Sequence, residues 1–256
     1  MATSTRPAPA ASSSSNGSPP STGGSNAVGK KGISYNSAAR VAAFGKSVSW
    51  AYNWAATPDG NLNGVQYVPM AWGSNDVSTI ASRVGSATHV LSFNEPDLNT
   101  QANIDPVTAA KQHIAAFSSL RGKIQIGSPA VTNGATTSPP MGTIWLDQFF
   151  TACGGNCPVD FVAYHWYATA DSFEYFKTHT QNVINTAAKY GIKKVWLTEF
   201  APEGSPEAQA AFMKLAVPFL DANPAVERYA AFMAADGQLM TGGSLNAVGS
   251  AYASAG

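Results

Sequence analysis

The sequence predicts an α/β chain folded as one (β/α)8 (TIM) barrel, and three observations carry that prediction. Eight short apolar or alternating runs recur between residues 30 and 256, most of them separated by segments of helical periodicity. Regular alternation of this kind favours parallel strands joined by crossover helices, and eight units favour closure over an open sheet. Once an atypical amino-terminal stretch is set aside, about 228 residues remain, which suits a single barrel.

The elements follow in order. Lys31 to Asn36 reads as a first strand, and Ser37 to Gly45 as a small helix closed by its glycine. Ser47 to Tyr52 alternates into Asn53-Trp54 as the second strand. Thr57 to Gly64 is turn chemistry throughout, which leaves little or no crossover helix before strand three, Val65 to Met70. Asp76 is expected to cap a helix reaching Val84, with Val77, Ile80 and Val84 at helical spacing. His89 to Phe93 is strand four. Asp105-Pro106 then opens a helix with an N-cap and a first-turn proline, whose expected buried stripe is Val107, Ala110, Ile114, Phe117 and Leu120. Lys123 to Ser128 is strand five and Thr143 to Ala152 a helix. Asp160 to Tyr167 is strand six, and Ser172 to Tyr190 the longest helix, closed by Gly191. Lys194 to Glu199 is strand seven. Ser205-Pro206 opens a helix that Pro218 is expected to kink or end. Val226 to Met233 is strand eight, stopping at Asp236-Gly237, with a closing helix over Leu245 to Tyr252.

Residues 1–29 are mostly Ser, Pro, Ala, Gly and Thr with almost no apolar residue larger than Ala, so they cannot bury enough surface to offset their ordering entropy and are expected to be a disordered tail. The catalytic domain is expected over 30–256. Net charge is zero and 12% of residues are charged, so no basic stripe exists to neutralise phosphates and nucleic acid is excluded as a partner. No apolar run reaches the ~18 residues of a membrane span, and a monomer is expected. Cys153 and Cys157 are the only cysteines. Their spacing and flexible Gly-Gly-Asn interior favour a tight disulfide over free thiols, which implies an oxidising compartment and a secreted or cell-wall location.

Candidate chemistry collects at the carboxyl ends of the strands, the face on which barrels carry their sites. Phe93-Asn94-Glu95-Pro96 ends strand four with an amide and an acid side by side. Leu197-Thr198-Glu199-Phe200 ends strand seven with a second acid. Tyr35, Asn36, Asn53, Trp54, Trp72, His165, Trp166, Tyr167 and Asp236 complete the inventory at the other strand ends. No metal motif, phosphate-binding glycine fingerprint or nucleophile elbow is present, so neither a metal nor another cofactor is expected. Two carboxyl groups among aromatics and amides are what glycoside cleavage needs. One protonates the leaving group, the other meets positive charge at the anomeric carbon, and rings cover the apolar faces of sugars. Asp97 and Glu203, each just beyond a key glutamate, are alternative acids. Trp145 and Trp196 are expected in the core. Trp50, Trp54, Trp72 and Trp166 stay open between core and cleft. His89 is placed at the structural end of its strand, and His113 and His179 on helix surfaces.

These residues resemble glycoside hydrolase family 128, in the clan of retaining (β/α)8 glycosidases. The likeness runs from Gly32-Ile33-Ser34-Tyr35-Asn36 through Phe93 to Asp97 and Tyr164-His165-Trp166-Tyr167 to Leu197-Thr198-Glu199-Phe200-Ala201. It implies an endo-β-1,3-glucanase acting on cell-wall glucan, with Glu95 as acid/base, Glu199 as nucleophile, and Asn94 holding the sugar 2-hydroxyl. His165 and Tyr167 would line the cleft and orient Glu199. The chain departs from the clan pattern at two places. Tyr52, Asn53 and Trp54 stand where many members carry an arginine, and Phe232 and Met233 stand where a tryptophan often ends strand eight. Hydrolysis of mannan or cellulose, and a non-catalytic wall-binding role, are the alternatives.

Overall fold

The computed structural model describes residues 29–256; the expected tail lies outside the described residues except for Gly29. Six parallel strands run in the spatial order β3, β2, β1, β8, β7, β6. They are β1 (Lys31–Tyr35), β2 (Trp50–Tyr52), β3 (Gln66–Tyr67), β6 (Val162–Thr169), β7 (Val195–Glu203) and β8 (Val226–Ala234). β4 (His89–Val90) pairs in parallel with β5 (Gln125–Ile126). Short parallel bridges close the ring, Met70 with Leu91 on one side and Gly127 with Phe161 and Val131 with Tyr164 on the other. Leu91 N–H donates to the Pro69 carbonyl at 2.8 Å, so the apolar run of strand four pairs beyond the formal end of β4.

The helices are α1 (Ala38–Val41), α2 (Ile80–Arg83), α3 (Pro106–Phe117), α4 (Gly142–Cys153), α5 (Phe173–Lys189), α6 (Pro206–Ala222) and α7 (Ala247–Ser254). A small hairpin, β9 (Met240–Thr241) and β10 (Ser244–Leu245), precedes the last of them and was not foreseen. The Asp105 side chain accepts from the backbone N–H of Val107 and Thr108, a cap worth about 1 kcal/mol. Cys153 and Cys157 are disulfide-bonded.

Period-two alternation sorts the strand residues between barrel interior and helical layer. Trp50, Tyr52, Val68, Met70, Leu91, Phe161, Trp196 and Ala230 fill the interior. Glycine makes room for the largest of them. A Cβ on Gly32 would meet the Trp50 indole at 2.3 Å, and one on Gly127 the Phe161 ring at 2.7 Å. On β6, Tyr164 and Trp166 point outward to the helices, so Ala163, His165 and Tyr167 point inward. Trp166 stacks on Phe212 of α6 with centroids 5.0 Å apart.

Several expectations change. Asp76 Oδ2 accepts from the Gly73 N–H in a 3-10 turn over Ser74–Asp76, and only the four-residue α2 follows, ending before Val84. Pro218 sits inside α6 without ending it. Pro218 is exposed, as is Lys214 four residues before it, so the carbonyl it cannot satisfy is left to water. The α3 stripe is rotated: Val107 is 52% exposed and Ile114 half-buried, while His113 is fully buried. His179 is buried too. Both were expected at the surface, since hydropathy ranks histidine as polar. His113 is nevertheless satisfied as a neutral ring, its Nε2 donating to the Pro158 carbonyl and its Nδ1 accepting from Ser92 Oγ, both at 2.9 Å.

Candidate active site

Glu95 and Glu199 reach one cavity of about 760 Å³ at the carboxyl end of the barrel. The Glu95 backbone N–H donates to the Ala130 carbonyl at 2.8 Å, continuing the β4–β5 pairing to the lip. Its φ of 40° lies in the left-handed region, which a side chain seldom occupies and which is typical of residues held for function. Immediately beyond, Asp97 accepts from Thr132 Oγ1 at 2.7 Å and Gly142 N–H at 2.8 Å. It ties the loop after β5 to the acid-bearing turn, Oδ2 holding both donors and Oδ1 lying 3.2 Å from the Thr132 N–H, and it does not line the cavity. Glu203 is exposed at the end of β7, away from the cavity.

The two glutamates have different partners. Glu199 Oε1 accepts from Trp54 Nε1 at 2.7 Å and lies 3.3 Å from the Tyr52 hydroxyl, which also donates to the Thr198 carbonyl at 2.9 Å. Its Oε2 accepts from the Tyr167 hydroxyl at 2.5 Å. Glu95 has one hydrogen bond from a side chain, Oε1 with His165 Nδ1 at 2.8 Å. His165 Nδ1 is 3.6 Å from Glu199 Oε2, and its Nε2 pairs with Thr198 Oγ1 at 3.0 Å. Burial opposes charge on His165 more than any other single influence. Glu199, the hydrogen bond to Glu95, and the charges of Glu95 and Asp97 together outweigh it and raise its pKa. Burial and then Glu199 push the Tyr167 and Tyr52 phenols well above their ordinary range, which keeps them as donors.

Glu95, His165 and Glu199 each offer an atom within 4.8 Å of the others. Metal could be imagined there, but His165 Nδ1 is engaged with Glu95 and both oxygens of Glu199 already accept donors. The arrangement supplies a single nitrogen ligand, already hydrogen-bonded to one of the acids.

Of the expected site residues, Asn36, Trp54, Trp72, Asn94 and Tyr167 line the cavity with the two acids, and His165 lies behind them. Asn94 Nδ2 donates to Gln101 at 3.2 Å, and its buried Oδ1 has no partner among the described residues. Four others are not brought there. Tyr35 and Trp166 face the helical layer by strand parity. Asn53, between the inward Tyr52 and Trp54, accepts from the Tyr67 hydroxyl at 2.6 Å. Asp236 pairs at the surface with Arg40 at 2.8 Å. Trp50 is barrel core.

Sequence reasoning missed the loop walls, Leu98, Gln101, Thr132, Asn133, Gly134 and Met141. No periodicity marks loop residues. The contact of Tyr52 with Glu199 was available from parity, since Tyr52 shares its face with Trp54.

A family model described as glycosyl hydrolase catalytic core matches residues 32–252. The chain is 34% identical over 230 residues to Alkali-sensitive linkage protein 1 of Schizosaccharomyces pombe, covering 82% of this chain and 41% of that protein's length. Among solved structures it is similar to a GH128 subgroup III curdlan-specific exo-β-1,3-glucanase from Blastomyces gilchristii in complex with glucose. There the identity is 38% and the TM-score 0.84, covering 90% of this chain and all of the other. A GH128 subgroup I endo-β-1,3-glucanase from Amycolatopsis mediterranei in complex with laminaritriose is 32% identical with a TM-score of 0.76, covering 89% of this chain and 99% of that one.

Proposed function

The chain belongs to the glycosyl hydrolase catalytic-core family, with GH128 glucanases among its relatives, and from that premise we propose that it hydrolyses β-1,3-glucan by double displacement. The observation that carries the mechanism is the approach of the two glutamates, whose nearest carboxyl oxygens lie within 4.8 Å across one cavity. Carboxyl groups ~5–5.5 Å apart act by retention, whereas inversion needs ~6.5–9.5 Å to admit a water between acid and sugar.

The partners of each acid support the division of roles. Hydrogen-bond donors favour an ionised carboxylate. Glu199, with Trp54 and Tyr167 as donors, is the nucleophile. Glu95 spends one oxygen on His165 and keeps the other for a proton, as an acid requires. In the first step Glu199 attacks the anomeric carbon, the glycosidic C–O bond breaks, and Glu95 protonates the departing oxygen. In the second, Glu95 takes a proton from water, the water oxygen attacks the same carbon, and Glu199 is released. His165 stands between the two acids and faces whichever is ionised, Glu199 at rest and Glu95 in the intermediate. Trp72, Phe232 and Met233 offer apolar surface to sugar faces, while Asn36 and Asn94 offer amides to hydroxyls. The disulfide supports secretion or residence in the wall.

Incubation with laminarin, curdlan, cellulose and mannan, scored by released reducing ends, tests the reading. The fastest release is expected on a β-1,3-glucan and is expected to survive EDTA. Faster hydrolysis of a β-1,4-glycan overturns the substrate, and loss with EDTA reversed by a divalent ion overturns the mechanism.

A further inference from the structure

The donor set on Glu199 contains no permanent cation. Among the described residues, no lysine or arginine pairs with either glutamate, and His165 is the basic side chain within 4 Å of both. The charge on Glu199 is met by neutral N–H and O–H groups. The titratable groups facing it are Tyr52 from β2, Glu95 beyond β4, and His165 and Tyr167 from β6.

Within that set Trp54 stands apart. β2 and β7 are separated in the barrel by β1 and β8, so Trp54 reaches Glu199 across two intervening strands. Its backbone lies in the left-handed region at φ 59°, which a bulky residue adopts only when its surroundings hold it there. The ring is held edge-on against Tyr52, with centroids 5.3 Å apart, and against Phe232 at 5.7 Å. A ring serving only as a sugar platform has no need to spend its N–H on a carboxylate at 2.7 Å.

We infer that Trp54 is a positioning residue for the reaction: its indole N–H fixes Glu199 Oε1 and stabilises the carboxylate that attacks the sugar. The inference rests on Glu199 being the nucleophile, and charge on that group is held by a neutral donor clamped in an unfavourable backbone conformation. Loss of the donor leaves the ring packing in place while the carboxylate is held less well.

The test compares wild type with Trp54→Phe, and with Trp54 replaced by its benzothiophene analogue, which deletes only the donor if the phenylalanine variant folds poorly. On an aryl β-glucoside or laminarin, kcat is expected to fall about ten- to a hundredfold. KM is expected to change little. An unchanged kcat, or a loss confined to KM, overturns the inference and leaves Trp54 a sugar platform. A second readout needs no turnover. The Trp54 indole N–H resonance is expected to move upfield in Glu199→Ala and to stay in place in Glu95→Ala. Equal behaviour in the two variants overturns the bond itself, whereas inactivity on β-1,3-glucan with the resonance behaving as expected overturns only the substrate.

Discussion

Both ends of this barrel bury charge, and they treat it in opposite ways. At the amino-terminal end Arg228, 5% exposed, lies over the faces of Trp196 and Trp50 at 4.6 and 5.8 Å, and burial lowers its pKa to about 10. Aromatic faces surround the cation and His89 packs beside Trp196, so the end is filled. At the carboxyl end the buried charge is the Glu199 carboxylate, met by single hydrogen atoms from Trp54 and Tyr167, and a cavity is left open above it. The same residue types do both jobs. An indole presented by its face closes a structure around a cation, whereas an indole presented by its N–H leaves an anion reachable from one side.

The largest expected effect breaks the open end. Glu95→Ala and Glu199→Gly are each expected to lower laminarin hydrolysis about 10⁴-fold or more without lowering thermal stability. Their rescue by azide separates them. From a β-glucoside with a good leaving group, Glu95→Ala is expected to yield the β-glycosyl azide and Glu199→Gly the α-azide. The reverse anomers exchange the two roles.

A smaller effect tests the filled end. Arg228→Ala removes the stem that packs between two indoles together with its charge, and is expected to cost about 2–4 kcal/mol of unfolding free energy. The kcat on laminarin is expected to stay at the wild-type value, because nothing at this end touches the cavity. Urea unfolding and steady-state kinetics on the same preparation check both halves. A drop in kcat with stability intact contradicts the separation of the two ends.

The last comparison uses two buried histidines with opposite shifts. Burial lowers His113 to about 4, against a weaker opposing hydrogen bond to the Pro158 carbonyl. Its folded-state pKa is below the unfolded value near 6.5, so the unfolded chain binds the extra proton between those values. The stability from neutral His113 is therefore complete above pH ~6.5 and is lost on acidification towards pH 4, by up to about 3 kcal/mol. His165 is shifted upward by the acids beside it. Its contribution is present below the unfolded pKa and is lost as pH rises through the folded one. His113→Gln keeps a donor for Pro158 and is expected to flatten the fall in urea midpoint between pH 6.5 and 4 relative to wild type. Parallel curves exclude the buried neutral ring as the cause.

These outcomes bear on how much of the site can be read from residues alone. Glu95 and Glu199 were legible because each closes an apolar run, a contiguous pattern. Tyr35, Asn53 and Trp166 were placed at the site by nearness to a strand end, yet parity turns all three away from the cavity. The buried ring of His113 was invisible to periodicity, since its partners, Ser92 and Pro158, come from other elements.

The sequence by itself determined the alternation of strand and helix, the two acids at strand ends, and a cysteine pair close enough to join. Each of these is written in neighbouring residues, and the physics that reads them is local: side-chain period, capping and turn chemistry. Only the tertiary structure decided that Trp54 and Tyr167 meet the same carboxylate from opposite oxygens. It also decided that His165 stands between two acids 104 positions apart in the chain, Glu95 and Glu199. The Trp54–Glu199 and Glu95–His165 contacts join strands that are not neighbours in sequence, and they exist because closing the ring sets the distance across the mouth of the barrel.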